Sequence, residues 1–153
     1  MKKTFRIILW SLFAVYMLIL LYILFLSRPP RLGYSVSEYF LMKLNIVPLK
    51  TIIHYVSIFS YGYYTLAIKN VVGNFVLFLP MGAALPYLFR KVDKFYKVVI
   101  IVAVSVLIVE ILQGLLRVGT PDVDDLILNL SGAMLGYAII KIPPIKRFLD
   151  KLI

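Results

Sequence analysis

Acidic and amide side chains interrupt two apolar segments of this chain, between Ser105 and Tyr137. Glu110, Gln113 and Arg117 are spaced i, i+3 and i+7, so a helix would place them on one face. A carboxylate at the centre of a membrane helix costs roughly 2.5 to 3.5 kcal/mol, so it normally faces a partner or a water-filled space. Glu110 is therefore a candidate for hydrogen bonding, ligand binding or proton transfer.

A second stripe of polar and small residues follows after a short turn, and we expect it to face the first. Its members are separated by three, four, three and four residues, the spacing of one helix face: Asp122, Asp125, Asn129, Gly132 and Gly136. Asp124 adds a third acid. Acids here could bind a ligand or hold a hard cation, or they could complement a helix start in which Thr120 is the N-cap.

The composition is that of an integral membrane protein. Hydrophobic residues make up 62% of the 153 positions, against roughly 45 to 50% in soluble domains. The net charge of +10 comes from Lys and Arg at the ends of apolar runs, which indicates membrane topology and anionic lipid rather than nucleic acid. With no Cys and one His, disulfides and thiolate or imidazole metal clusters are excluded.

Apolar runs of spanning length define the elements that must position these residues. They predict a single domain over residues 1–153, all-α, with four transmembrane helices at about 7–26, 70–89, 98–116 and 121–140. Pro80 and Pro86 predict a kink in the second helix. Gly132 and Gly136 form a G-x-x-x-G pattern, which is typical of close helix packing.

The orientation follows from the loops. Residues 90–97 carry four basic residues and one acid, which predicts that this loop and both termini are cytoplasmic. The long connection over residues 27–69 would then be extracytoplasmic, and its six tyrosines and helical spacing of Ile52, Ile53 and Val56 predict interfacial or re-entrant helices.

Four amides and acids from three helices should share one layer of the membrane. At 1.5 Å per residue, Asn74, Glu110, Gln113 and Asn129 lie roughly 5 to 10 Å below the outer boundary. We predict an outward-facing polar pocket there, with further residues at its mouth: Asn70, Arg117, Asp122, Asp124 and Asp125. A purely structural network that joins the helices is the alternative.

Five ordered motifs between about residues 40 and 140 resemble those of VanZ-like membrane proteins. Asn45-Ile46-Val47-Pro48-Leu49-Lys50-Thr51-Ile52 is similar to the family's N-x-x-P-hydrophobic-x-T-I segment, and residues 70–82 are similar to N-x-x-G-N-x-x-x-F-x-P-x-G. The E-x-x-Q pair at Glu110, the D-x-D-D run at Asp122, Asn129 and the two glycines follow in the family's order. The family often has an Arg about three residues before the first Asp, where this chain has Gly119.

The resemblance implies a multi-pass protein of the cytoplasmic membrane, of the kind associated with low-level glycopeptide (teicoplanin) resistance in Gram-positive bacteria. Its expected partner is a membrane lipid or a lipid-linked cell-wall component, with a second copy of the chain or another membrane protein as a further partner. The alternative function is an intramembrane enzyme acting on a lipid-linked substrate, with Glu110, Asp122 and Asp125 as catalytic candidates and Asp124 beside them. We assign no cofactor and no metal ligand.

Overall fold

The computed structural model describes residues 2–152, and within that range the chain forms eight α-helices. In chain order they are α1 (Lys2–Leu21), α2 (Val36–Lys43), α3 (Lys50–Phe59), α4 (Tyr64–Leu77), α5 (Leu79–Leu88), α6 (Phe95–Leu116), α7 (Val123–Lys141) and α8 (Pro143–Leu152). A π-helical turn, Tyr22–Leu26, continues α1. The predicted all-α fold is confirmed.

Four segments of the described chain are long and apolar enough to cross a membrane: Lys3–Leu26, Tyr64–Leu88, Phe95–Leu116 and Val123–Lys141. The second and third begin earlier than the predicted residues 70 and 98. The prediction began each helix directly after a lysine, Lys69 or Lys97, because the uncharged run begins there. A long basic side chain near a helix end can reach the membrane surface, so each helix can include its lysine and begin several residues earlier.

The second spanning segment is interrupted at Phe78, where α4 ends and α5 begins. Pro80, in the first turn of α5, has no N–H to donate to the carbonyl of Val76, four residues before it. That carbonyl accepts the N–H of Phe78 instead. Pro80 thus accounts for the interruption at Phe78, whereas α5 continues through Pro86, the second proline from which the sequence predicts a kink.

Small residues let α7 pack closely against both halves of the kinked helix. A methyl group added at Gly132 would collide with the backbone carbonyl of Phe75 in α4, and one at Gly136 would collide with that of Leu79 in α5. The two glycines lie where α7 meets these helices, at the centre of the bundle. Large apolar side chains such as Leu12, Leu18 and Ile108 are exposed on the outside, where lipid would cover them.

The bundle has two distinct ends. At one end lie residues 27–63, which join α1 to α4, and the turn 117–122, which joins α6 to α7; we call this the connection end. The N–H of Arg31 donates to the carbonyl of Arg117 there, at 3.0 Å. At the opposite end, which we call the loop end, residues 89–94 join α5 to α6, and the hydroxyl of Tyr137 donates to the carbonyl of Asp93 at 3.2 Å.

Two short helices, α2 and α3, occupy the connection. A capping box begins α2: the Ser35 hydroxyl accepts the N–H of Glu38, and the Glu38 carboxylate accepts the N–H of Ser35 at 2.8 Å. The position of these helices at the membrane interface stays a prediction.

Candidate functional site

The start of α7 is tied to the connection through its backbone. The N–H of Asn45 donates to the carbonyl of Pro121 at 2.9 Å, and the N–H of Val123 donates to the carbonyl of Asn45 at 3.0 Å. This short bridge keeps the backbone extended through Asp122, which is the N-cap of α7. The expectation that Thr120 is the N-cap and Pro121 the first helical residue is therefore wrong, because both residues precede the bridge.

The side chain of Asp122 continues the same link. Its carboxylate accepts hydrogen bonds from the amide of Asn45 at 2.9 Å, from the hydroxyl of Thr51 at 2.6 Å and from the N–H of Asp124 at 2.8 Å. The carboxylate is thus a buried acceptor that joins α7, the segment before α3 and the first turn of α3. Residues of two separate sequence motifs meet at this one group.

Asp124 caps a different helix from the one that carries it. Its carboxylate accepts the N–H groups of Leu49 at 2.5 Å, Thr51 at 2.7 Å and Ile52 at 3.1 Å, at the start of α3. Leu49 adopts a left-handed conformation, with φ of 67°, that turns the chain into the helix. Because free N–H groups and the helix dipole favour an anion, the fully buried Asp124 fixes α3 against α7.

Glu110 and Gln113 are both buried but contact different neighbours. The Glu110 carboxylate accepts the backbone N–H of Asp122 at 3.0 Å, so it faces the start of α7. The Gln113 amide donates to the carbonyl of Leu24 at 2.8 Å, so it faces the end of the first spanning helix. The two residues therefore hold α6 to two different parts of the bundle.

The other amides of the predicted layer also have separate surroundings. Asn74 donates to the carboxylate of Asp125, which joins α4 to α7. Asn129 is buried, and within residues 2–152 its side-chain oxygen has no hydrogen-bond partner. The hydrogen bonds of Glu110 do not include Asn129. The layer is a set of local contacts between helices rather than one continuous network.

Arg117 ends α6 in a left-handed conformation, and its side chain donates to the carbonyl of Tyr34 at 2.7 Å. It joins the turn to the segment that precedes α2. Arg117 thus lies at the connection end, and it does not line the cavity found there.

A polar cavity of about 500 Å³ opens at the connection end. Of the residues predicted for the pocket, Asn70, Asp122 and Asp125 line it. Three basic residues also line it: Arg28, Arg31 and Lys69. The remaining predicted residues lie outside this lining: Asn74, Glu110, Gln113, Arg117, Asp124 and Asn129.

A second cavity, of about 440 Å³, shares Thr51, Tyr55, Thr120 and Asp122 with the first. Burial raises the pKa of the Tyr55 hydroxyl, and the Asp125 carboxylate adds to this shift while Arg28 opposes it. The phenol therefore keeps its proton at neutral pH and is available as a donor where the cavities meet.

A comparison with models of known protein families identifies the family of this chain. The family model described as VanZ/LLP1 matches residues 13–145, most of the chain. The chain belongs to the VanZ/LLP1 family. The resemblance read from the ordered motifs is confirmed. Among curated proteins and solved structures, the comparisons give no match.

The VanZ/LLP1 match includes every residue that lines the two cavities. Sequence reasoning missed Arg28, Arg31 and Lys69 as site residues, because it counted them only as topology signals. The available signal was their position at the ends of the first connection, next to Pro29-Pro30 and Asn70. The end of the first spanning helix and the beginning of the second both lie beside the turn between α6 and α7, so the basic residues near them come together.

The acids of this VanZ/LLP1 protein do not gather as metal ligands do. Across residues 2–152, no group of three or more His, Cys, Asp or Glu side chains is arranged to hold a metal ion. Asp122 and Asp124 direct their oxygens at amides and hydroxyls of the connection. The side chains that line the cavity can form ion pairs and hydrogen bonds.

Proposed function

We propose that this VanZ/LLP1 protein binds a lipid or a lipid-linked cell-wall component in the cavity at the connection end and thereby contributes to low-level glycopeptide (teicoplanin) resistance. The observation that carries the proposal is a cavity of about 500 Å³ with charged walls, at the end of four membrane-spanning helices. Because charged groups are costly near lipid, a cavity of this kind favours a polar ligand.

The distribution of charge supports an outward-facing cavity. The segments at the loop end, with the amino-terminal segment and α8, carry eleven Lys and Arg and two Asp. The remaining residues carry six Lys and Arg and five acids. Cytoplasmic segments of membrane proteins carry the excess of positive charge, so both termini are assigned to the cytoplasm. The cavity would then face the side on which cell-wall intermediates are used.

The contacts of Asp122 and Asp124 support a preformed cavity. Thr51 and Tyr55 belong to α3 and line both cavities, and Asp124 fixes the start of that helix against α7. A wall held by buried hydrogen bonds loses little freedom when a ligand binds. The two acids therefore act on binding by positioning the wall.

A deletion strain tests the proposal. We expect deletion to increase teicoplanin susceptibility and to change the pool of membrane-bound cell-wall intermediates, and we expect the wild-type gene to restore both. Lys69→Gln should restore them only in part, because it removes one positive charge from the cavity. Lys94→Gln, which removes the same charge at the loop end, is the matched control. Unchanged susceptibility and unchanged intermediates in the deletion strain would refute the proposal.

An intramembrane enzyme is the alternative, and one observation favours it: the carboxylate of Asp125 lines the cavity, where it can contact a bound ligand. Within residues 2–152 this carboxylate accepts a hydrogen bond from the amide of Asn74. Glu110 and Asp124 lie outside this lining. The test is to incubate purified wild type and Asp125→Asn, in equal folded amounts, with a lipid-linked precursor. If wild type converts the precursor and Asp125→Asn does not, the protein is an enzyme and the binding proposal is wrong. No conversion by either form favours binding.

A further inference from the structure

The two polar cavities form one basin with an excess of positive charge. They share Thr51, Tyr55, Thr120 and Asp122, and each adds its own basic residues. Those residues are Arg28, Arg31, Lys43, Lys50 and Lys69. In residues 2–152 the ion pair that forms is Lys97 with Asp93, at the loop end. The basic residues of the basin therefore have no carboxylate partner within the described chain.

The acids of the basin are occupied by the protein itself. Asp122 accepts three hydrogen bonds, from Asn45, Thr51 and Asp124, and Asp125 accepts one from Asn74. These donors are neutral, so each carboxylate keeps its charge, and five basic residues against two carboxylates give the basin a formal excess of three positive charges. An anion with several oxygens, such as a phosphate, fits this arrangement because guanidinium groups donate to it in pairs.

An apolar groove of about 260 Å³ adjoins the basin. Asn45 and Asp122 line both the groove and the second cavity, so the polar and apolar spaces meet at these residues. Leu107 and Ile111 line the groove from α6, and both are about half exposed on its outer surface. The groove is thus open toward the surrounding hydrocarbon.

We propose that the ligand is a phosphate-bearing lipid, with its anionic headgroup in the basin and one hydrocarbon chain in the groove. The basic residues recognise the phosphate, and the groove recognises the chain. A free phosphate would leave the groove empty, and a neutral lipid would leave the cations unpaired. This inference rests on the proposed function and names the class of ligand for the same site.

Native mass spectrometry of the purified protein in detergent would measure the binding of three probes. They are phosphatidylglycerol, the diacylglycerol with the same chains, and glycerol phosphate. We expect phosphatidylglycerol to bind at least about tenfold more tightly than either part, the equivalent of one charge-assisted hydrogen bond or a buried pair of methylenes. Equal binding of diacylglycerol would overturn the role of the basin, and equal binding of glycerol phosphate would overturn the role of the groove.

Charge variants test the basin directly. The triple variant Arg28→Gln, Arg31→Gln and Lys69→Gln should weaken phosphatidylglycerol binding by at least about tenfold. The matched control removes the same charge from the loop end: Arg90→Gln, Lys91→Gln and Lys94→Gln. It should change binding by less than about twofold, since exposed distant charges contribute little. Equal loss in the two triple variants would mean attraction to net charge alone and would overturn the proposal.

The groove has its own variant, which keeps the test decisive if the triple variant does not fold. Ile111→Trp should fill the groove from the lipid side, so it should weaken phosphatidylglycerol binding and leave glycerol phosphate binding unchanged. Susceptibility of strains carrying the same variants separates the two proposals. Lost lipid binding with unchanged susceptibility supports this ligand and refutes the resistance role. Altered susceptibility in the charge variant without any binding of phosphatidylglycerol by wild type refutes this ligand alone.

Discussion

Replacing Asp124 with alanine should release the start of α3 from α7. The carboxylate accepts three backbone N–H groups, from Leu49, Thr51 and Ile52. Hydrogen bonds to a charged group contribute about 1.5 to 3 kcal/mol each, and loss of a helix cap costs about 0.5 to 2 kcal/mol. Leu49 is half exposed, so water replaces part of the loss. We expect the free energy of local opening to fall by about 2 to 4 kcal/mol.

Hydrogen–deuterium exchange of a peptide that covers the start of α3 measures this change. A loss of about 2 kcal/mol predicts exchange at least about 30-fold faster at these amides in Asp124→Ala. Asp124→Asn should give a smaller effect, because its amide oxygen can still accept one N–H. Asp93→Asn is the control, since Asp93 is an exposed acid at the loop end that pairs with Lys97. If the α3 amides exchange equally slowly in wild type and Asp124→Ala, the capping argument is wrong.

Three further predictions concern packing, pH and orientation. Gly132→Ala should lower the free energy of unfolding in detergent by about 1 to 3 kcal/mol, because the added methyl group meets a backbone carbonyl of α4. Gly73→Ala, where the added methyl group has open space, should not lower it. Hydrogen bonds from the capping serine hold the pKa of Glu38 below its usual 4.5, so the cap stabilises α2 above that pH. Protection of the α2 amides should then fall as the pH drops through the lower folded-state pKa, and equal protection in acid would contradict this. A Cys at Lys94 should resist impermeant thiol reagents in intact cells and one at Tyr61, which is 80% exposed, should react; the reverse result would invert the assigned orientation.

The spanning helices were predictable because lipid imposes a simple rule on composition. A run of about 20 apolar residues has few alternatives to a helix that crosses the bilayer. The rule was inaccurate at helix boundaries. The second spanning helix begins at Tyr64 rather than at residue 70, because Lys69 interrupts the uncharged run but not the helix. The kink was predictable for a local reason, since Pro80 lies inside a run of spanning length, where its missing N–H removes a hydrogen bond from a continuous helix.

The roles of the acids were harder to predict, because their partners are far away in the chain. In the sequence, Asp124 is an acid in the first turn of its own helix. Its carboxylate oxygens nevertheless accept backbone N–H groups of a helix more than 70 positions earlier in the chain. Asp122 likewise depends on Asn45, at a separation of 77 positions. Spacing along one helix identifies which residues share a face, but it does not identify the segment that the face contacts.

The cap that Asp124 provides also has a consequence for the order of biosynthesis. Leu49 and Asp124 are 75 positions apart, and a ribosome that adds roughly 5 to 20 residues per second needs about 4 to 15 s to cover that length. Until then, α3 has no cap and the connection is not anchored. Insertion of α7 is therefore the step that closes the connection, and a chain released before α7 emerges would lack its acceptor. Assembly of this end of the protein is coupled to the synthesis of α7.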